Sequence, residues 1–277
     1  MKKIGCVIYF LGNKYSGLGT CASNSFKKWH PDVELFYIND NNASEYKATE
    51  HLKNIGFGAY KYLLASEIMI KNKLDKVIIL GADTITCSRL TEFLESDEDI
   101  LATLDYPYQL IIPGIGAITP DSETHLNADV VCFNKVEPIL EIVKLSKMFK
   151  NYAEQGALNY VVWSGKYNYS AKIVDGDYNN STVVYNARAK GNIIALSGTK
   201  PWAQYTSKFY VEDDKLFTHN KKQIKVWHYC EGLGTLNNDG FCQIINWWRE
   251  IGFNEETKHF FSNKCGCEDF FEKEFAL

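Results

Sequence analysis

Four short segments of this chain carry residues of the kinds that handle polar ligands. Asp83 closes Leu80-Gly81-Ala82-Asp83, directly behind the apolar run Lys76–Leu80. A carboxylate just past a strand can ligate a hard divalent cation, and it suits equally a turn or the cap of a following helix. Glu154, Gln155 and Asn159 open a helical pattern in which i, i+4 spacing puts Gln155 and Asn159 on one face with Glu154 beside them. Amides and an acid so grouped suit hydroxyl recognition, although the helix dipole also favours a glutamate in a first turn. Ser197-Gly198-Thr199-Lys200 follows the apolar stretch Ile193–Leu196, where glycine amides beside a lysine make a cradle for a diphosphate. Gly17-Leu18-Gly19-Thr20-Cys21-Ala22 matches a relaxed dinucleotide pattern, with Asp40 at the end of the next apolar run. Gly12–Ser16 intervenes between Leu11 and Gly17, which holds the first glycine too far from the strand end for a close pyrophosphate turn.

The elements that must hold these residues alternate between strand and helix. Residues 3–11 form a nearly continuous apolar run, the pattern of a parallel strand covered on both faces. Spacing predicts a helix over Ser23–Trp29, a strand over Val33–Ile38, a loop at Asn39–Asn42 and a buried strand over Lys76–Leu80. A helix over 57–73 places Tyr60, Leu63, Leu64, Ile68 and Met69 on one stripe. Asp99–Leu104 and Val130–Phe133 read as further strands, 111–118 as irregular, and 135–148 and 153–163 as helices. Later come strand-like pieces at 182–187, 192–197, 206–211 and 224–229, then a helical tail over 240–262. The order predicts the α/β class, with one domain over 1–220 and an extension over 221–277 packed on it. Ligands of open α/β sheets collect at strand carboxyl ends, which is where Asp83 and Asp105 fall.

Composition narrows the classes of function. With 277 residues, 45% hydrophobic and 23% charged, the chain can build a sizeable core and is not a disordered or fibrous sequence. A net charge of −4 lacks the basic footprint of a nucleic-acid binder, so an anionic ligand needs a local site. Aromatic residues at 14% supply flat surface for a tight core or for stacking on sugars and bases; Trp247, Trp248 and Phe253 could line a groove or seal an interface. The eight cysteines are scattered, as for reduced thiols, and Cys265-Gly266-Cys267 lacks the spacing and partner cluster of a zinc site. Met1-Lys2-Lys3 and the short apolar run behind it have no cleavage-site pattern and cannot span a membrane, so a cytoplasmic protein is expected.

In order and rough spacing, these segments resemble the family 8 glycosyltransferases, the group containing glycogenin and the lipopolysaccharide galactosyltransferases, over residues 3–202. The resemblance implies a GT-A fold, a nucleotide-sugar donor (a UDP-sugar), a hydroxyl acceptor on a glycan or protein, retention of anomeric configuration, and Mn²⁺ or Mg²⁺. It places Tyr9, Leu11 and Ala82 along the donor, and Tyr15 of Gly12-Asn13-Lys14-Tyr15 against the uracil. Lys61 is similar to the family lysine that approaches the donor, and Asp105 falls in the segment bordering the donor sugar. Leu126-Asn127-Ala128-Asp129-Val130-Val131 resembles the family's Phe-Asn-Ser/Ala-Gly-Val strand, with Asn127 kept and Asp129 in place of the glycine. Gln155, Leu158 and Asn159 match Asp-Gln-x-x-Leu-Asn with Glu154 for the aspartate, which implies Gln155 beneath the anomeric carbon. Gly198, Lys200, Pro201 and Trp202 match the segment that closes over the diphosphate. The chain also departs from the pattern: Gly81 stands for the first acid of Asp-x-Asp, and Ala195 or a neighbour stands for the metal-binding histidine of the closing segment. His228, in His228-Tyr229-Cys230-Glu231-Gly232, resembles a second His-Tyr-x-Gly wording and is either that imidazole or a satisfied histidine at a strand end. The departures leave a nucleotide-sugar-binding homologue without activity as an alternative, and the Gly17 motif leaves an NAD-dependent enzyme as another.

Overall fold

Short runs of Ile, Val and Leu form strands where two faces must be covered at once, and the computed structural model shows this repeatedly; it describes residues 2–12, 16–105, 111–112, 116–121, 124–149, 153–174, 180–181, 209–212, 215–218 and 223–228. In chain order the elements are β1 (Ile4–Tyr9), α1 (Ser16–Trp29), β2 (Glu34–Ile38), α2 (Leu52–Asn72), β3 (Lys76–Leu80), β4 (Thr84–Thr86), α3 (Thr91–Glu95), β5 (Ile100–Leu104), β6 (Ile111–Ile112) and β7 (Gly116–Ala117). There follow β8 (Leu126–Phe133), α4 (Val136–Leu145), α5 (Ala153–Trp163), β9 (Ala171–Val174), β10 (Asn180–Ser181), β11 (Phe209–Glu212), β12 (Lys215–Thr218) and β13 (Val226–His228). Contacts divide the chain into two units, one of Met1–Tyr9, Asp32–Leu80 and Leu90–Asp175, the other of Phe10–Pro31, Gly81–Arg89 and Gly176–Leu277.

The first unit is a six-stranded mixed sheet of order β2-β1-β3-β8-β5-β9. β1 lies parallel to β2 and β3, β5 lies parallel to β9, and β8 runs antiparallel between β3 and β5. The carboxyl ends of β1, β3 and β5 therefore reach the same edge of the sheet. Every residue of β3 and β5 is buried, as are Tyr60, Tyr62, Leu64, Ala65 and Ile68 on α2 and Ile139 and Ile142 on α4. Each fully buried side chain of this size contributes about 1.5–3 kcal/mol of burial. β8 begins at Leu126, four residues before the run that reads as strand in the sequence, because polar Asn127 and Asp129 interrupt its apolar pattern.

In the second unit α1 packs on β4, which pairs antiparallel with β13, and β13 pairs parallel with β10. The Thr86 amide donates to Ser25 Oγ at 3.0 Å and the Cys87 amide to the Lys225 carbonyl at 2.7 Å, tying helix and strands together. β11 and β12 form a hairpin. α1 starts at Ser16 and so contains Gly17 and Gly19, whose low helix propensity hides the helix from its sequence pattern. A Cβ on Gly19 would lie 2.0 Å from the Phe10 ring. Close packing on Phe10 thus accounts for Gly19, and the motif glycines lie inside the helix rather than in a strand-to-helix turn. Among the described residues no helix is long and apolar enough to cross a membrane. The strands expected at 182–187 and 192–197 and the helix at 240–262 lie outside the described residues.

Candidate active site

A bulge in β8 organises the carboxyl edge of the first unit. The β5–β8 ladder runs Ile100↔Phe133, Leu101↔Cys132 and Ala102↔Val131, then resumes at Thr103↔Asn127, which leaves Ala128–Val130 outside the β5 register. Displaced backbone groups must find side-chain partners. Asn127 Oδ1 accepts from the Asp129 and Val130 amides at 2.7 and 3.1 Å. Tyr62 donates to the Ala128 carbonyl at 3.0 Å, and Thr103 Oγ1 donates to the Val130 carbonyl at 2.9 Å. Asn127 is buried, and its oxygen shapes this backbone. Tyr62 and Thr103 stand out only once the bulge is seen, since each reads as an ordinary core position.

The amino end of α5 docks on this bulge. Asn159 Oδ1 accepts the Leu126 amide at 2.9 Å, while its Nδ2 donates to the Leu126 and Gln155 carbonyls at 3.0 and 2.8 Å. One turn earlier, Gln155 Oε1 accepts the Ala128 amide at 3.2 Å and its Nε2 donates to Asp105 Oδ2 at 2.7 Å. Asp105 follows the last residue of β5, at the edge where ligands of open α/β sheets collect.

Lys61 of α2 anchors the other side of the bulge. Its ammonium, with a side chain only 4% exposed, is ion-paired with Asp129 and lies 3.6 Å from Glu154, whose carboxylates are 32% and 20% exposed. Burial by itself pulls the Lys61 pKa down, but the Asp129 and Glu154 carboxylates outweigh it and hold the ammonium charged above the ordinary lysine range. The same ammonium lies 5.7 Å from the Tyr62 ring centroid. Tyr9, at the end of β1, meets Tyr60 edge to face at 5.5 Å, and burial, partly offset by Lys61, pushes its phenol above the ordinary value. Of the residues singled out in the sequence, Tyr9, Lys61, Asp105, Asn127, Asp129, Glu154 and Gln155 thus belong to this unit, the last six linked around one bulge.

A second group lies in the other unit. Gly81 to Thr84 form a turn closed by Thr84, whose amide and hydroxyl reach the Gly81 carbonyl at 3.3 and 2.7 Å. Ala82 and Asp83 are its central, half-buried residues. The following strand pairs Thr84 with His228, which brings His228 Nε2 to 3.3 Å from Asp83 Oδ1. Asp83 therefore caps no helix, for α3 starts only at Thr91, and a residue 145 positions away in sequence stands beside it. Among the described residues no three His, Cys, Asp or Glu side chains converge as a ready-made metal cage. The Asp83–His228 pair offers one carboxylate and one imidazole, donors of the kind that divalent cations take, and fewer than a complete site needs. Leu11 is half-buried in this unit, while Tyr15, Ala195, Gly198, Lys200, Pro201 and Trp202 lie outside the described residues.

A mixed sheet of this order flanked by helices, with polar side chains gathered at the carboxyl ends of its parallel strands, is the fold of the GT-A glycosyltransferases. Among solved structures the galactosyltransferase LgtC, in complex with donor and acceptor sugar analogs, matches at a TM-score of 0.56 and 15% identity, over 92% of this chain and 99% of its own. WbbM, a bifunctional glycosyltransferase, matches at 0.55 and 15% over 94% of this chain and 51% of its own. The glycosyltransferase GlyE of Streptococcus pneumoniae matches at 0.53 and 14%, over 96% and 64%. No family model matches the sequence, and no curated protein does.

Proposed function

We propose that this chain is a glycosyltransferase of the family 8 kind, taking a hexose from a UDP-sugar and passing it, with retention, to a hydroxyl of a glycan or protein. The observation that carries the reading is Gln155, its carboxamide anchored by Asp105 and by the β8 bulge at the carboxyl edge of a GT-A sheet. An active-site glutamine is also a feature of LgtC, of which a glutamine-to-glutamate active-site mutant has been solved. In this reading Gln155 lies beneath the anomeric carbon, and Asp129 and Glu154 accept hydrogen bonds from sugar hydroxyls. Lys61 holds both carboxylates in place. Asp83 and His228 would hold Mn²⁺ or Mg²⁺, which would supply positive charge against the donor diphosphate. Lys200 and the Gly198 segment, outside the described residues, are the further groups that the sequence offers for the same leaving group. The bond from the anomeric carbon to the phosphate oxygen breaks as the acceptor oxygen bonds on the same face, and the departing phosphate oxygen takes the acceptor proton.

Calorimetric titration of UDP, with and without Mn²⁺ and with NAD as control, tests the reading without knowledge of the acceptor. Metal-dependent UDP binding and slow hydrolysis of a UDP-sugar are expected. NAD binding without UDP binding would overturn it. Gly81, in the place of a second strand-end carboxylate, favours one other reading, a nucleotide-sugar-binding homologue without activity, for which UDP binds but no UDP-sugar is hydrolysed.

A further inference from the structure

We infer that Asp105 is a positioning residue that decides which atoms Gln155 offers to a ligand, an inference that rests on the glycosyltransferase reading. A carboxamide can be flipped to exchange its oxygen and nitrogen, and the two contacts of Gln155 permit only one choice. The Ala128 amide, 3.2 Å from Oε1, can only donate, and the Asp105 carboxylate oxygen, 2.7 Å from Nε2, accepts. The flipped amide would set N–H against N–H and oxygen against carboxylate. Both anchors are themselves fixed. Ala128 is held through its carbonyl, in the next peptide, by Tyr62, within the bulge that Asn127 and Thr103 brace, and the Asp105 amide donates to the His125 carbonyl at 2.8 Å. Among the described residues, one N–H of Nε2 and one lone pair of Oε1 are then left for a ligand. The bond to Asp105 is charge-assisted, and it polarises the amide so that Oε1 is richer in electrons than that of an ordinary glutamine. An electron-rich oxygen held in place stabilises positive charge that develops at the anomeric carbon in the transition state more than it helps ground-state binding.

The test compares wild type, Asp105→Asn, Asp105→Ala, Gln155→Ala and the Asp105→Ala/Gln155→Ala double variant by UDP-sugar hydrolysis, with kcat and KM resolved. Loss of the anchor is expected to lower kcat by about tenfold or more with KM within about threefold. Asp105→Asn can still accept from Nε2 but lacks the charge, and should fall between wild type and Asp105→Ala. If Asp105 acts through Gln155, removing it in the Gln155→Ala background costs less than about threefold further. Losses that multiply in the double variant would overturn the inference and make Asp105 an independent contact to substrate. NMR of the folded protein supplies a readout that needs no turnover: the Gln155 side-chain amide should be shifted and rigid in wild type, lose both properties in Asp105→Ala, and keep its rigidity with a smaller shift in Asp105→Asn. An unchanged signal would sink the proposal. Absence of turnover in folded wild type would remove the glycosyltransferase reading, and this inference with it.

Discussion

Glu154 occupies the space that a side chain on Gly58 would fill. A Cβ built on Gly58 would lie 2.0 Å from Glu154 Oε2 and 2.2 Å from its Cδ. α2 thus carries a poor helix former one turn before Lys61, and the gap admits the carboxylate that pairs with that lysine. Gly58→Ala gains about 1 kcal/mol of helix propensity but pushes Glu154 off Lys61. The expected result is a stability within about 1 kcal/mol of wild type in urea melts together with a loss of sugar-transfer activity, since the flexible carboxylate moves before the helix does. Wild-type activity in Gly58→Ala would remove Glu154 from the site.

Lys61→Met leaves Asp129 and Glu154 facing each other without a cation. Because the stranded carboxylates are partly exposed, the cost falls below that of a fully buried pair, at about 1–3 kcal/mol, which urea denaturation at pH 7 would register. In wild type the raised Lys61 pKa makes its contribution fully present below the ordinary lysine value of about 10.4 and lost only as pH climbs through the higher folded value. Stability between pH 6 and pH 9 should therefore show no titration from this group.

Asp99 gives the opposite sign. Burial raises its pKa, but the bonds from Lys135 Nζ at 2.8 Å and the Ser170 amide at 3.0 Å outweigh burial and hold the carboxyl below its usual range. Its stabilisation is present above the ordinary aspartate value of about 3.9 and is lost as pH falls through the lower folded value. Asp99→Asn should cost about 1–2 kcal/mol at pH 7, with the difference from wild type closing as pH falls through the lowered folded value. Paired thermal melts across that range would show it. A constant difference would mean that packing, and not charge, sets the effect.

Asp83 and His228 are expected to act as one cation site. Asp83→Asn should abolish the Mn²⁺-dependent part of UDP binding, and His228→Ala should weaken Mn²⁺ binding by about tenfold or more, as loss of a ligand does. Paramagnetic resonance of free Mn²⁺ during titration measures this directly. Unchanged Mn²⁺ affinity in His228→Ala would confine His228 to pairing with Asp83 at the strand end.

Local pattern was enough for the main buried strands and helices of the first unit and for the class of fold, but not for the start of α1 or of β8. The unbroken apolar runs at β1 and β3 and the stripe of Tyr60, Leu64 and Ile68 dictate buried strands and a covering helix, because burial of such residues dominates the free energy whatever the topology. The strand-end position of Asp83 and the helix-start position of Glu154 and Gln155 follow from the same patterns. Pairing across the chain was a different matter. That β13 returns to β4 and delivers His228 to Asp83, that three residues of β8 leave the ladder, and that Gly58 makes room for Glu154 all depend on contacts between segments far apart in sequence. Such contacts leave little periodic trace, since a bulge or a register is chosen by the fit of whole surfaces. The sequence by itself determined which residues could do chemistry and on which element each would stand; the tertiary structure alone decided which of them share a hydrogen bond, because only packing fixes distances between elements.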